Sequence, residues 1–234
     1  MGKNHLKRFA APRTWAIERK RTKFIARPMP GPHPFKQSIA LGVVLSELLG
    51  YTKTSKELNL ILTNGEVLID KKSRKAKFPV GFMDVLELPK LKEHYRIVYT
   101  DIGKLKLMKV DKDDADVKIL KVIGKNNLKG GKTQINLNDG RNMLTGKEKY
   151  NVGDSLLVEL GNKKIKDHFK LEKGYTAYLT GGKHIGYVGK IKSIEAKHGL
   201  HKPKILLEVN GEEIETLKDY AFVVGKDKPA IKLQ

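Results

Sequence analysis

C-terminal to Tyr95 the chain offers nothing but strand signals. Short apolar or alternating runs recur at residues 97–99, 105–110, 117–123, 135–137, 156–160, 175–179, 187–194, 205–209 and 222–224, with glycines between them. Period-two patterning puts alternate side chains on opposite faces of a strand, and such short, interrupted runs do not suit a parallel sheet. Asp139-Gly140 and Asn210-Gly211 are dipeptides that tolerate the positive φ of tight hairpins. Small barrels are therefore expected, with Gly174 as a boundary between two of them.

Upstream, the period changes. From Ser38, Leu41, Val44, Leu45 and Leu48 fall at i, i+3, i+4 and i+7, and Gly50 is placed to end that helix. Thr54 with Glu57 reads as the capping box of a second helix, with Leu58, Ile61 and Leu62 as its stripe and Asn64-Gly65 as its end. Alternation returns at Val67 and Ile69, then at Phe78, Val80 and residues 85–88, which makes a hairpin. Its tip, residues 71–77, holds five cations. Like charges so crowded repel unless an anion compensates them, as a phosphate backbone does; a solvated loop is the alternative.

The tip belongs to a wider imbalance. Lys and Arg total 47 against 26 Asp and Glu, a formal net charge of +21 over 234 residues, which points to a polyanionic partner and away from a generic metabolic enzyme. Residues 1–36 set Lys3, Lys7, Arg8, Arg13, Arg19, Lys20, Arg21, Lys23, Arg27 and Lys36 against the single acid Glu18, among five prolines. Charge repulsion and proline deny such a segment its own core, so it is expected to be an arm that orders only against a partner. Phe9, Trp15 and Phe24 offer stacking surfaces for bases, which a merely solvated tail does not need. An Arg-rich, acid-poor start is also the composition of an organellar transit peptide, a competing reading. There is no cysteine, which excludes a disulfide framework, a thiolate nucleophile and an iron–sulfur cluster. The most apolar window, residues 39–49, is well short of the roughly 20 residues of a membrane span.

Motifs that would carry chemistry fail on spacing. Gly130-Gly131-Lys132-Thr133 suggests a phosphate loop, yet the first required glycine falls at Asn126, which leaves a glycine-rich hairpin connection. Asp111, Asp113, Asp114 and Asp116 resemble a calcium loop, but Ala115 occupies a ligand position and Val122 stands where glutamate is needed, so a solvated loop is expected. His198 and His201 lack a helix and a third ligand, and no metal is expected there. No serine elbow and no histidine beside a nucleophile occur. Asp139 reads as a turn former and Lys132 as at most a phosphate contact.

Gly174-Tyr175-Thr176-Ala177-Tyr178-Leu179, followed by residues 181–191 from Gly181-Gly182-Lys183-His184 through Gly186 and Gly189 to Ile191, is similar to the KOW motif of nucleic-acid-associated SH3-like barrels. Lys183 and His184 then project from a loop where a phosphate can sit. Residues 38–88, ending in Phe78-Pro79-Val80-Gly81-Phe82-Met83-Asp84-Val85-Leu86, resemble the S-four RNA-binding module. In this order, behind Gly2-Lys3-Asn4-His5-Leu6-Lys7-Arg8 and Ala11-Pro12-Arg13-Thr14-Trp15, the whole chain resembles the archaeal and eukaryotic small-subunit ribosomal protein family S-four-e. Two departures stand out. Asp70-Lys71-Lys72-Ser73-Arg74 replaces the Asn-Gly common at the S-four hairpin turn, and the sequence stops at Gln234 without the extension expected of eukaryotic members, which favours an archaeal type.

The expectation is an α+β chain in four parts: a basic RNA-binding arm (1–36), an S-four-like module of two helices and a β-hairpin (37–94), a mostly β central domain (95–173), and a KOW SH3-like barrel with C-terminal strands (174–234). The resemblance implies a cytoplasmic, non-enzymatic constituent of the small ribosomal subunit. Its partners are small-subunit ribosomal RNA and neighbouring ribosomal proteins, with no cofactor, metal, membrane or small-molecule substrate. Residues expected to touch RNA are Lys3, Lys7, Arg8, Arg13, Trp15, Arg19, Lys20, Arg21, Lys53, Lys56, Lys71, Lys72, Arg74, Lys75, Lys183 and His184. Two alternatives stay open. An RNA-modifying enzyme with an S-four-like anchor would need residues 95–173 to be catalytic, and a KOW-containing transcription-elongation factor would not need the arm.

Overall fold

The computed structural model describes residues 4–146, 150–195 and 202–233. These form two compact units, one of residues 1–98 with 104–116 and one of residues 99–103 with 117–234. Lys3, His198 and His201 lie outside the described residues.

In the first unit β1 (Ser38–Ala40) leads into α1 (Leu41–Val43) and a π-turn over Val44–Leu48, and Gly50 ends the run at φ +70°. The helix expected from Ser38 starts three residues later. Residues 38–40 are drawn instead into an antiparallel pair with residues 79–81, and the first helical amides, Leu41 and Gly42, donate to the carbonyls of Phe78 and Ala76. Helix α2 (Ser55–Thr63) has the expected capping box: the Thr54 hydroxyl accepts from the Glu57 amide and the Glu57 carboxylate accepts from the Thr54 amide. Gly42 lets α1 approach α2, because a Cβ there would stand 2.9 Å from a Leu58 methyl.

The hairpin strands follow as β2 (Leu68–Ile69), β3 (Lys72–Ser73), β4 (Pro79–Gly81) and β5 (Val85–Leu88), then β6 (Glu93–Tyr99) and β7 (Leu105–Lys109), with sheet order β3-β2-β5-β6-β7. Asp70 and Lys71, at φ 49° and 64°, make the two-residue hairpin turn without glycine. The Asp70 carboxylate accepts from the Val85 amide at 3.1 Å and ties the turn to β5. Ile39, Leu41, Val44, Leu45, Ile69, Val80, Met83, Val85 and Leu86 fill the core.

Residues 4–36 do not stand free. Leu6, Ala11, Trp15 and Ile25 are buried, Trp15 is only 1% exposed, and the Trp15 indole N–H donates to the Ser38 carbonyl at 2.7 Å. Backbone bonds join Ile25 to Leu6, Met29 to Lys77 and Leu105 to Thr14, and His33 sits 2.9 Å from the Asp84 carboxylate. The expectation of a coreless arm fails because most of its cations point outward, Arg8 has an internal carboxylate, and Leu6, Ala11, Trp15 and Ile25 are buried, while Phe9 and Phe24 stay exposed. A second correction concerns the acidic cluster. It is not a solvated loop: residues Lys112–Ala115 form the one-turn helix α3, and Asp116 pairs with Lys71.

The second unit contains two five-stranded antiparallel sheets. In the first, β8 (Val117–Asn127), β9 (Thr133–Leu137), β10 (Asn142–Thr145), β11 (Ser155–Glu159) and β12 (Ile165–Phe169) lie in the order β10-β9-β8-β11-β12, over a core of Leu120, Val122, Ile135, Leu137, Tyr150, Leu156 and Val158. In the second, β13 (Thr176–Leu179), β14 (Val188–Ile194), β15 (Lys204–Val209), β16 (Glu212–Leu217) and β17 (Ala221–Gly225) lie in the order β16-β15-β14-β13-β17. Asn210-Gly211 makes the β15–β16 turn with both residues at positive φ. Across the two sheets the Lys121 ammonium donates to the carbonyls of Asp219 and Ala221, at 2.8 and 2.6 Å.

Candidate nucleic-acid interface

Of the residues expected to touch RNA, Lys7, Arg13, Lys20, Arg21, Lys53, Lys56, Lys72, Lys75 and Lys183 are exposed. Lys53 and Lys56 lie at the N-terminal end of α2, and Lys72 and Lys75 follow the hairpin turn. Lys183 lies on the β13–β14 loop, where the half-buried His184 ring sits 5.7 Å from Tyr187. Gly186 in that loop has φ +89°, and a Cβ there would meet the Thr100 carbonyl oxygen at 2.6 Å, so both conformation and space require glycine.

Other expected contacts are turned to structural work. Arg8 is 3% exposed. Its guanidinium makes a bidentate pair with Glu47 at 2.8 and 2.7 Å and also donates to Thr22 and to the Glu18 carbonyl. That fork is the geometry in which arginine and carboxylate bind best, and it leaves no donor for a phosphate. Trp15, only 1% exposed, presents no ring face to solvent; it packs edge-to-face with Phe35 and its N–H is spent on Ser38. Half-buried Arg19 donates to the carbonyls of Phe9, Ala11 and Pro12.

The hairpin tip divides in the same way. Lys71 bridges Glu87 at 2.9 Å and Asp116 at 2.5 Å. Burial draws its ammonium down, but the two carboxylates outweigh that and hold it above its ordinary value. Arg74 stacks over Phe78 at 4.5 Å. Five cations in one tip are therefore compensated in part by the protein itself. Sequence reasoning missed Glu47, Glu87 and Asp116 because nothing local marks an acid as the partner of a cation far away in the chain.

The C-terminal sheet neutralises its own lysines: Lys192 faces Glu208 and Glu213, Lys204 faces Glu215, and Lys190 faces Asp227. Asp139 is buried, accepts from the Arg141 amide at 3.0 Å and pairs with the Arg141 side chain at 2.9 Å. It thus shapes the turn after β9.

The sequence is 41% identical over 232 residues to the small ribosomal subunit protein eS4 of Methanosphaera stadtmanae, covering 99% of this chain and 96% of that one. The chain belongs to the ribosomal protein family S4e. The model described as Ribosomal family S4e matches residues 91–165, and that of the RS4NT (NUC023) domain matches residues 1–36. A second S4e relative, the small ribosomal subunit protein eS4 of Methanocaldococcus jannaschii, is 42% identical over 241 residues, covering 99% of this chain and 98% of that one. The crystal structure of the 30S ribosomal protein S4e from Thermoplasma acidophilum superposes with a TM-score of 0.71 at 37% identity, over 85% of this chain and 99% of the other. The α+β fold expected from the sequence is thus the S4e fold.

Proposed function

We propose that this S4e protein is a structural constituent of the small ribosomal subunit, where it binds ribosomal RNA beside other ribosomal proteins in the cytoplasm. The observation that carries the reading is the nearly full-length identity, around 40%, to proteins named as small-subunit components. The net charge of +21 supplies the physical basis. Each lysine or arginine that meets a phosphate releases condensed counterions, so many dispersed contacts give strong, salt-dependent binding without a reaction. Lys7, Arg13, Lys20, Arg21, Lys53, Lys56, Lys72, Lys75 and Lys183 are the contacts assigned here; Arg8 and Trp15 position the segment that carries the first four.

The protein acts as a scaffold and not as a catalyst. Buried Asp139 is engaged by Arg141, and Lys132 stands exposed on a hairpin away from any carboxylate partner among the described residues. Two measurements on purified full-length protein test the reading. Affinity for small-subunit RNA should fall steeply with potassium chloride, and RNA incubated with protein, nucleotide and a methyl donor should leave by mass spectrometry unmodified and uncut. Weak, salt-independent binding would refute the RNA-scaffold role, and a modification lost in Asp139→Ala would refute the absence of catalysis.

A further inference from the structure

The β8–β9 hairpin runs past the core of its sheet. Burial along β8 stops at Val122, and among the residues beyond it Ile123 is 57% exposed, while Lys125, Asn126, Asn127, Lys129, Gly130, Gly131 and Lys132 are all exposed. The ladder nevertheless continues past Ile135, the core residue of β9 nearest the tip, with Asn126 opposite Gln134 and Asn127 opposite Thr133, and the Leu128 amide closes the tip on the Lys132 carbonyl at 2.8 Å. Strand β10 pairs with β9 from Asn136 to Thr133, so the part that projects without a core or a third strand is the tip, residues 128–132, and it contributes little to folding.

Its chemistry is one-sided. Residues 117–138 contain no Asp or Glu and five lysines. Lys118 is buried and Lys121 is turned to the C-terminal sheet, whereas Lys125, Lys129 and Lys132 form no ion pair among the described residues. This contrasts with Lys190, Lys192 and Lys204 of the same unit, each matched to a carboxylate. At the apex Gly130 and Gly131 hold φ +80° and +69° with nothing within 4 Å of where a Cβ would stand, so the backbone amides there are open to close approach. Leu128, 41% exposed, adds an apolar contact between the charges.

We propose that this hairpin is a finger that enters a groove of structured ribosomal RNA, with Lys125, Lys129 and Lys132 on phosphates and the glycine apex against the sugar–phosphate backbone. The proposal rests on the ribosomal reading above. A protein partner would offer carboxylates to the same lysines and is the competing occupant.

The test uses the full-length chain and small-subunit RNA. In Lys125→Ala/Lys129→Ala/Lys132→Ala the slope of log affinity against log salt should drop by about 2 to 3, from about 0.7 to 0.9 per lost contact, with the melting temperature unchanged. In parallel, a benzophenone amino acid in place of Leu128 should crosslink to RNA in reconstituted small subunits. An unchanged slope overturns the finger, as does a crosslink to protein or to nothing. If the triple variant does not fold, the crosslink alone decides. Wild-type protein that ignores small-subunit RNA overturns the ribosomal reading itself, which is a different result from wild-type binding with an indifferent finger.

Discussion

Arg8 clamps the N-terminal segment, and replacing it with methionine should release that segment. Methionine keeps much of the apolar stem but removes two charge-assisted bonds to Glu47 and three bonds to Thr22 and Glu18. Charge-assisted bonds are worth about 1.5 to 3 kcal/mol each. The Glu47 side chain is 15% exposed, so water recovers part of the loss and the lower end applies, about 3 kcal/mol, in keeping with the cost of breaking a buried ion pair by removing one partner. At 1.4 kcal/mol per factor of ten, the open population rises by roughly a hundredfold. Native-state hydrogen exchange reads this directly at the amides of Ile25, bonded to Leu6, and Met29, bonded to Lys77. Their protection in the isolated protein should fall by about two orders of magnitude in Arg8→Met, and by less in Arg8→Lys, which keeps charge without the fork. Amides that exchange freely in wild-type protein, or protection that changes less than about threefold in Arg8→Met, would show that the segment is not docked through Arg8.

Replacing Lys71, Lys72, Arg74 and Lys75 together by alanine should lower the salt slope of RNA binding by no more than about two contacts' worth, roughly 1.4 to 1.8, because Lys71 and Arg74 are committed internally. Lys71→Ala alone should also destabilise the fold, since it leaves the nearly buried Glu87 without its cation, whereas Lys72→Ala should not; denaturant titrations separate the two. Burial draws the Lys121 ammonium down from 10.5 to about 8. Between those values the folded chain holds fewer protons than the unfolded one, so stability rises with pH, by roughly 3 kcal/mol from this group. The wild-type minus Lys121→Met stability difference should therefore climb from about pH 8 to pH 10.5, and a flat difference would refute the buried ammonium. Gly189→Ala places a Cβ 2.5 Å from a Val209 methyl and 2.6 Å from the Glu208 carbonyl oxygen, and should cost about 1 to 3 kcal/mol in thermal unfolding.

What the sequence made legible, and what it hid, follows the range of the interactions. The α2 capping box is decided by Thr54 and Glu57, three residues apart, and was readable. The nine apolar runs beyond Tyr95 all became strands because burial imposes their period. Strands β10, β12 and β16 went unrecognised, and all three are sheet edges. Residues such as Asn142, Lys166, Asp167 and Glu213 face solvent there, and such polar edges protect against unwanted pairing while a neighbouring strand supplies the order. At the candidate interface the outward lysines were legible from charge alone. Arg8 and Trp15 were not, because Glu47 is 39 residues from the one and Ser38 is 23 from the other.

Sedimentation of tagged full-length protein with cell extract through a sucrose gradient tests the central claim most directly. As a structural component, the protein should run with small subunits and their RNA at physiological salt and leave them as salt is raised. Protein that stays at the top of the gradient at physiological salt, with small subunits intact below it, would contradict the ribosomal assignment.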